Sequence, residues 1–241
     1  MNIVYHPADS RGHANHGWLN THHTFSFAGY QDPDRMHFGA LRVLNDDEVV
    51  AGRGFGSHPH DNMEIISIPL EGDLEHKDSM GNTTVIREGD IQVMSAGTGV
   101  VHSEKNKNLD RPVKFLQIWL FPKQRGVEPR YDQIHMDTAH EQDRWNTVLS
   151  PRPQEGAVWI HQDAWFSIGS FGPGKSVEYR LNQQGHGVYL FVLEGAAELN
   201  GHALHRRDGM GITATDGFTL KAGEAGARIL AMEVPMTLPT A

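Results

Sequence analysis

"EIISIPLEGDLEHKDSMGNTTVIREGDIQVMSAG", residues 64–97, decides the fold class. It holds short runs of Ile, Val and Leu broken by Gly, Asn and Asp, and no apolar stripe of helical period crosses the breaks. Working outward, "ALRVLN" at 40–45 and "KFLQIWLF" at 114–121 repeat the texture. Runs spaced about 8 to 12 residues apart are the pattern of an antiparallel barrel or sandwich. The strings "EGD" at 71–73 and 88–90 are expected to reverse hairpins, and "MGN" at 80–82 is a further turn.

After Phe121 the chain turns polar and proline-containing, in "PKQRGVEPRYDQIHMDTAHEQDRWNTVLSPRPQEG". This reads as a connector, in which Thr138 and Glu141 have the spacing of a capping box and predict a turn or two of helix. Strand texture returns from Ala157, and "YLFVLEGAAELNG" at 189–201 echoes "ISIPLEGDLEHKDSMGN" at 66–82: a strand, LEG, then a second strand. The fold class expected is all-β, two related domains in tandem, divided as 1–132 and 133–241.

Composition removes whole classes of function. The 241 residues include 30 acidic and 21 basic ones, a formal charge of −9, and no basic run that would track phosphates, so direct nucleic-acid binding is not expected. The longest aliphatic-aromatic run, "VYLFVL" at 188–193, is too short to cross a bilayer, and "MNIVYHPADSRGH" has no secretory core. A cytoplasmic monomer without a membrane partner is expected. There is no cysteine, so disulfides, thiolate nucleophiles and Cys-based metal sites are excluded, and any metal must be held by His, Asp or Glu.

Sixteen histidines make that worth pursuing. In "GFGSHPHDNMEI" at 54–65, His58 and His60 share one strand face, their roots roughly 6.5 to 7 Å apart. Polar residues at alternate positions are common on half-wet strands, so this pair alone proves nothing. A second i, i+2 pair, His102 and Glu104, follows in "SAGTGVVHSEKN", with 41 residues between His60 and His102 for the hairpins that would bring the strands together. Three imidazoles and a carboxylate around one point would leave coordination positions open.

The spacing Gly52, His58, His60, Glu64, Gly72 resembles the first cupin motif. Gly89, Gly97, His102 and Asn106 resemble the second, except that Ser95 stands where proline is usual and the histidine comes two residues late. Those departures, with "RGHANHGWLNTHHTFSF" at 11–27, "ALRVLNDD" and "MSAGTGVVHSE", are similar to the pirin family. That resemblance implies two tandem cupin (jelly-roll) barrels, the first holding one divalent transition metal through His58, His60, His102 and Glu104 and the second holding none. It implies iron(II) foremost, with Ni, Cu, Co, Mn or Zn as alternatives. Bacterial pirins resemble quercetin 2,3-dioxygenases, which open flavonols with dioxygen and release carbon monoxide. On that reading Glu104 is the catalytic base, the small-molecule partners are a phenolic flavonol and O2, and activity falls on acidification as the imidazoles protonate. Animal pirins are similar to metal-containing co-regulators, so the alternative is a redox-sensing module acting through a protein partner.

Other signals have plainer readings. Glu64 is assigned a buried hydrogen-bonding or supporting role, and Asn106 suits a turn as well as the motif. His13, His16, His22 and His23 fit no chelate spacing, nor do His161, His186, His202 and His205. "GSFGPGKS" at 169–176 matches the P-loop string, but "VEYRL" after it reads as a strand, whereas a phosphate loop must open a helix.

Overall fold

The structure, a computed structural model, describes residues 1–136 and 142–238. The regular secondary structure of those residues is strand, and their only helical segment is the three-residue 3-10 turn Ala8–Ser10. The proposed cap at Thr138 and Glu141 lies outside the described residues.

Strands of the first half form two facing sheets. The seven-stranded one runs Arg130–His135, Asp90–Ser95, Glu64–Glu71, Val113–Leu120, Leu41–Val49, Leu19–His23, Gly12–Asn15. The four-stranded one runs Gly54–His60, Val100–Asn106, Leu74–Asp78, Thr83–Ile86. The second half builds a nine-stranded sheet around the long strands His186–Leu199 and Gly217–Pro235. Two cupin-type barrels result, as the sequence predicts.

Three expectations are corrected. The "EGD" turns do not close hairpins: each carries the chain between the two facing sheets, from Glu64–Glu71 to Leu74–Asp78 and from Thr83–Ile86 to Asp90–Ser95. Gly72 and Gly89 have φ of 78° and 88°, the left-handed conformation such a sharp exit needs. Only "MGN" joins two hydrogen-bonded strands, Leu74–Asp78 and Thr83–Ile86. Second, the connector is not bare loop, because Arg130–His135 pairs with Asp90–Ser95, and Trp145–Ser150 pairs with Trp165–Phe171. Third, the strand Asn2–His6 pairs with Gly209–Thr213, so a segment from the start of the chain completes the sheet of the second half.

The run "EIISIPL" is buried on both faces because its sheet is sandwiched. Ile66 and Ile68, with Leu44, Leu116 and Ile118, pack against Phe166, Ile168, Phe191 and Leu230 of the second barrel in one shared core. Each such side chain contributes about 1.5–3 kcal/mol by leaving water. The opposite face looks into the first barrel. There Leu19, Val49, Val113 and Phe115 close one end and Ile65, Met94 and Val100 the other.

Between these apolar ends runs a polar row. Cross-strand neighbours Gln92, Ser67, Gln117, Asn45 and His23 stand side by side on five adjacent strands, all buried. Buried polar groups are retained where they find partners or do chemistry, and this row faces the metal-ligand candidates.

Candidate metal centre

His58 and His60 lie on Gly54–His60, and His102 and Glu104 on the adjoining strand Val100–Asn106. Antiparallel pairing sets His102 directly opposite His58. The pairing slips by one residue before Glu104 meets Phe55, so the first strand bulges at Gly56 and Ser57. Across the bulge, the His58 Nδ1 proton is donated to the Gly56 carbonyl at 2.8 Å. The lone pair of His58 is thereby left on Nε2, aimed inward.

The ligand nitrogens of His58, His60 and His102 lie within 4.8 Å of one another, the only such group of three donors among the described residues. The Nε2 atoms of His58 and His102 are 3.0 Å apart. Two lone pairs so placed need a shared proton or a cation between them. Nitrogens bound at right angles to one ion at about 2.0–2.1 Å would stand about 2.9 Å apart, so the observed separation fits a common metal. Burial and the neighbouring imidazoles lower the His102 pKa to about 2 and that of His60 to about 4, keeping both rings neutral and able to ligate. Three imidazoles suit Fe, Ni, Cu, Co and Zn.

Glu104 does not join that group. Its carboxylate, 1% exposed, accepts from Ser67 Oγ at 3.1 Å and from Gln117 Nε2 at 2.7 Å, which ties the four-stranded sheet to the polar row facing it. Burial raises its pKa, against the pull of His76, Gln117 and Ser67.

A pocket of about 280 Å³ opens onto this constellation, lined by His58, His60 and Glu104 together with Phe27, Phe55 and Trp119. Trp119 stands edge-on to His60, with ring centres 4.9 Å apart, and Phe27 is edge-on to Trp119. From the polar row come His23, Asn45 and Gln117, and beside them Thr21 and Asp47. The pocket thus has aromatic walls and a small number of placed polar groups, the usual make-up of a small-molecule site.

Glu64 is buried away from this lining and accepts from Ser95 Oγ at 2.6 Å. Burial pushes its acid up to about 7. Ser95, the departure from the general cupin pattern, is therefore the partner that lets a carboxyl stay in the core. Asn106 pins a loop: its Nδ2 donates to the carbonyls of Val49 and Arg111, and its Oδ1 accepts from Asn108. Lys175, in the string that mimics a phosphate loop, pairs with Asp143 at 3.2 Å between strands and not before a helix.

Sequence reasoning missed His76. It is fully buried on Leu74–Asp78, with its Nε2 2.9 Å from Asp78 Oδ2 and its ring 5.3 Å from that of His102. The signal was present in "LEHKD", where His76 and Asp78 have the same i, i+2 spacing as the ligand pairs. Asp47, Gln117 and Trp119 carried no local signal, since they come from two strands of the facing sheet, Leu41–Val49 and Val113–Leu120, and not from the segments that carry the histidines.

The sequence matches the family described as Pirin over residues 5–120 and that described as Quercetinase C-terminal cupin domain over residues 147–234. It is 39% identical over 233 residues to a quercetin 2,3-dioxygenase of Escherichia coli K12, covering 97% of this chain and 99% of that one. The chain belongs to the pirin family. A pirin-like protein of Caulobacter vibrioides is 38% identical over 225 residues, 93% of this chain and 96% of that one. The crystal structure of the bacterial pirin YhhW of Escherichia coli in complex with nickel(II) superposes with a TM-score of 0.92 at 38% identity, over 98% of this pirin and 100% of that chain. No helix among the described residues of this pirin is long and apolar enough to cross a membrane.

Proposed function

We propose that this pirin is a metal-dependent dioxygenase acting on flavonols such as quercetin. One observation carries the reading: three imidazoles converge beside an aromatic-walled pocket that also contains a buried carboxylate. The quercetin 2,3-dioxygenase name of the Escherichia coli relative supports it.

His58, His60 and His102 would hold the metal, with Glu104 as the fourth candidate ligand; iron(II), expected from the family resemblance, and nickel(II), present in the YhhW complex, both suit this donor set. Bound there, a divalent transition metal supplies Lewis acidity toward an enolisable hydroxyl and an open position for dioxygen. The protein's own groups do the rest. Glu104 accepts the hydroxyl proton on a carboxylate oxygen, using a lone pair left free by its bonds to Ser67 and Gln117, which hold it in place. Phe27, Phe55 and Trp119 flank a flat aromatic ligand and exclude water from the reacting edge. The pocket lining and the three histidines all lie between His16 and Trp119, which puts this chemistry in the first unit of the proposed division 1–132 and 133–241, with the second as its packing partner.

Dioxygen uptake and carbon monoxide release with quercetin, measured on protein loaded separately with Fe, Ni, Cu, Co and Mn, test the proposal. Turnover is expected with at least one metal and is abolished in His60→Ala. Tight metal binding without turnover in every form would overturn it.

A further inference from the structure

Asp47 lines the same pocket, on the wall built by Leu19–His23 and Leu41–Val49 and not on the strands that carry the histidines. It is 3% exposed, and its Oδ1 meets no hydrogen-bond donor. Its cross-strand neighbour Thr21, also 3% exposed, lines the pocket with its hydroxyl unpartnered. No cation accompanies the pair: the charges that act on Asp47 are those of Glu104 and Asp46. Burial pushes the Asp47 acid up to about 7, and the Thr21 hydroxyl offsets part of that rise without completing a hydrogen bond.

A carboxyl buried without a cation and with an oxygen that meets no donor is costly, and an apolar residue of similar size would cost the fold less. Elsewhere this protein supplies donors to its buried acids: Ser95 serves Glu64, Ser67 and Gln117 serve Glu104, and Tyr179 with Asn182 serves Glu233. Asp47 stands apart from them, and its place on the pocket wall indicates where the missing donor comes from.

We infer that Asp47, assisted by Thr21, is a second attachment point for the ligand and accepts a hydrogen bond from a ring hydroxyl remote from the one presented to the histidines. The inference rests on the dioxygenase reading and adds a substrate preference to it. Polyhydroxylated flavonols are selected over those bearing the 3-hydroxyl alone, because only they bring a donor to Asp47. Asp47 is a specificity-determining residue in this scheme, not a proton carrier.

The test is anaerobic titration of metal-loaded protein with quercetin and with 3-hydroxyflavone, followed by quenching of tryptophan fluorescence. Asp47→Leu should weaken quercetin binding about tenfold or more, the loss of one hydrogen bond to a charged group. Binding of 3-hydroxyflavone should change by less than about twofold, and the melting temperature should hold or rise. Thr21→Val should move quercetin binding in the same direction by a smaller factor, which keeps the inference testable should Asp47→Leu fold poorly. Equal weakening of both ligands, or unchanged quercetin binding in both variants, overturns the inference. Dioxygen uptake on the same proteins separates it from the reading beneath it. Turnover of both flavonols without discrimination at Asp47 overturns the inference alone, whereas failure of the native protein to bind either flavonol overturns both.

Discussion

His58 and His102 face each other across one strand pair with their Nε2 atoms 3.0 Å apart, while the other ring nitrogen of His58 is held by the Gly56 carbonyl. The His58 ring is therefore oriented by the backbone before any ion arrives, which lowers the ordering cost of binding. Replacing His102 with alanine should reduce metal affinity by at least about 100-fold, since losing a ligand costs more than losing a supporting hydrogen bond. Elemental analysis after dialysis reads the loss, and circular dichroism should show the β signature unchanged.

Glu104 separates ligand from base. Glu104→Gln keeps the shape and, through its one amide oxygen, one of the two supporting contacts, but cannot take a proton. Turnover of quercetin is expected to fall by roughly 10²–10⁴ with metal content retained by the three histidines. Loss of metal in parallel with activity would instead make Glu104 a ligand. Gln117→Leu should leave metal content intact and lower turnover by about tenfold, because the carboxylate loses its shorter hydrogen bond.

Asp46 points the opposite way from its neighbour Asp47 and joins the two barrels. Its Oδ2 lies 3.2 Å from Arg11 Nη1 and 3.0 Å from Arg207 Nε. Arg207 is 7% exposed and also donates to the Leu193 carbonyl. Asp46→Ala would leave that guanidinium buried beside an empty space, so unfolding free energy should drop by about 3 kcal/mol or more. Urea denaturation measures this, and Asp46→Asn should recover part of the loss.

His6 predicts a pH dependence of stability. It is buried with its Nδ1 2.8 Å from the Tyr189 hydroxyl, and burial, reinforced by Arg35, lowers its pKa to about 4 from the ordinary 6.5. The unfolded chain binds the proton first as pH falls, so the contribution of His6 is complete above about pH 7. It declines below 6.5 and is gone once pH passes through 4. The loss should reach roughly 1–1.5 kcal/mol by about pH 5.5. Denaturation curves at several pH values should therefore be flatter for His6→Gln than for the native protein.

What the sequence reveals is whatever local spacing encodes. Strand texture, the pairs His58/His60 and His102/Glu104, and the echo between halves each lie within a dozen or so residues, and the pirin resemblance rests on those stretches. The row of Gln92, Ser67, Gln117, Asn45 and His23 exists only after five strands come into register, so no window of sequence contains it. Asp47 illustrates the same limit: nothing local in "RVLNDDEV" marks it, and only the pairing with Thr21 and Phe115 turns it inward. The "EGD" reversals were visible, but which sheet each feeds is decided by tertiary pairing.

The strand Asn2–His6 has a bearing on how the polypeptide is made. Tyr5 donates to Asp208, 203 positions further on, and the whole strand pairs with Gly209–Thr213. On the ribosome, that strand must wait until Gly209–Thr213 has been made to find its mate, holding Val4 and Tyr5 without a sheet to join. Synthesis can thus complete much of the metal-binding half early, while the seam between Asn2–His6 and the second sheet forms late, so a nascent chain stalled short of residue 209 would carry an open, adhesive strand for chaperones to shield.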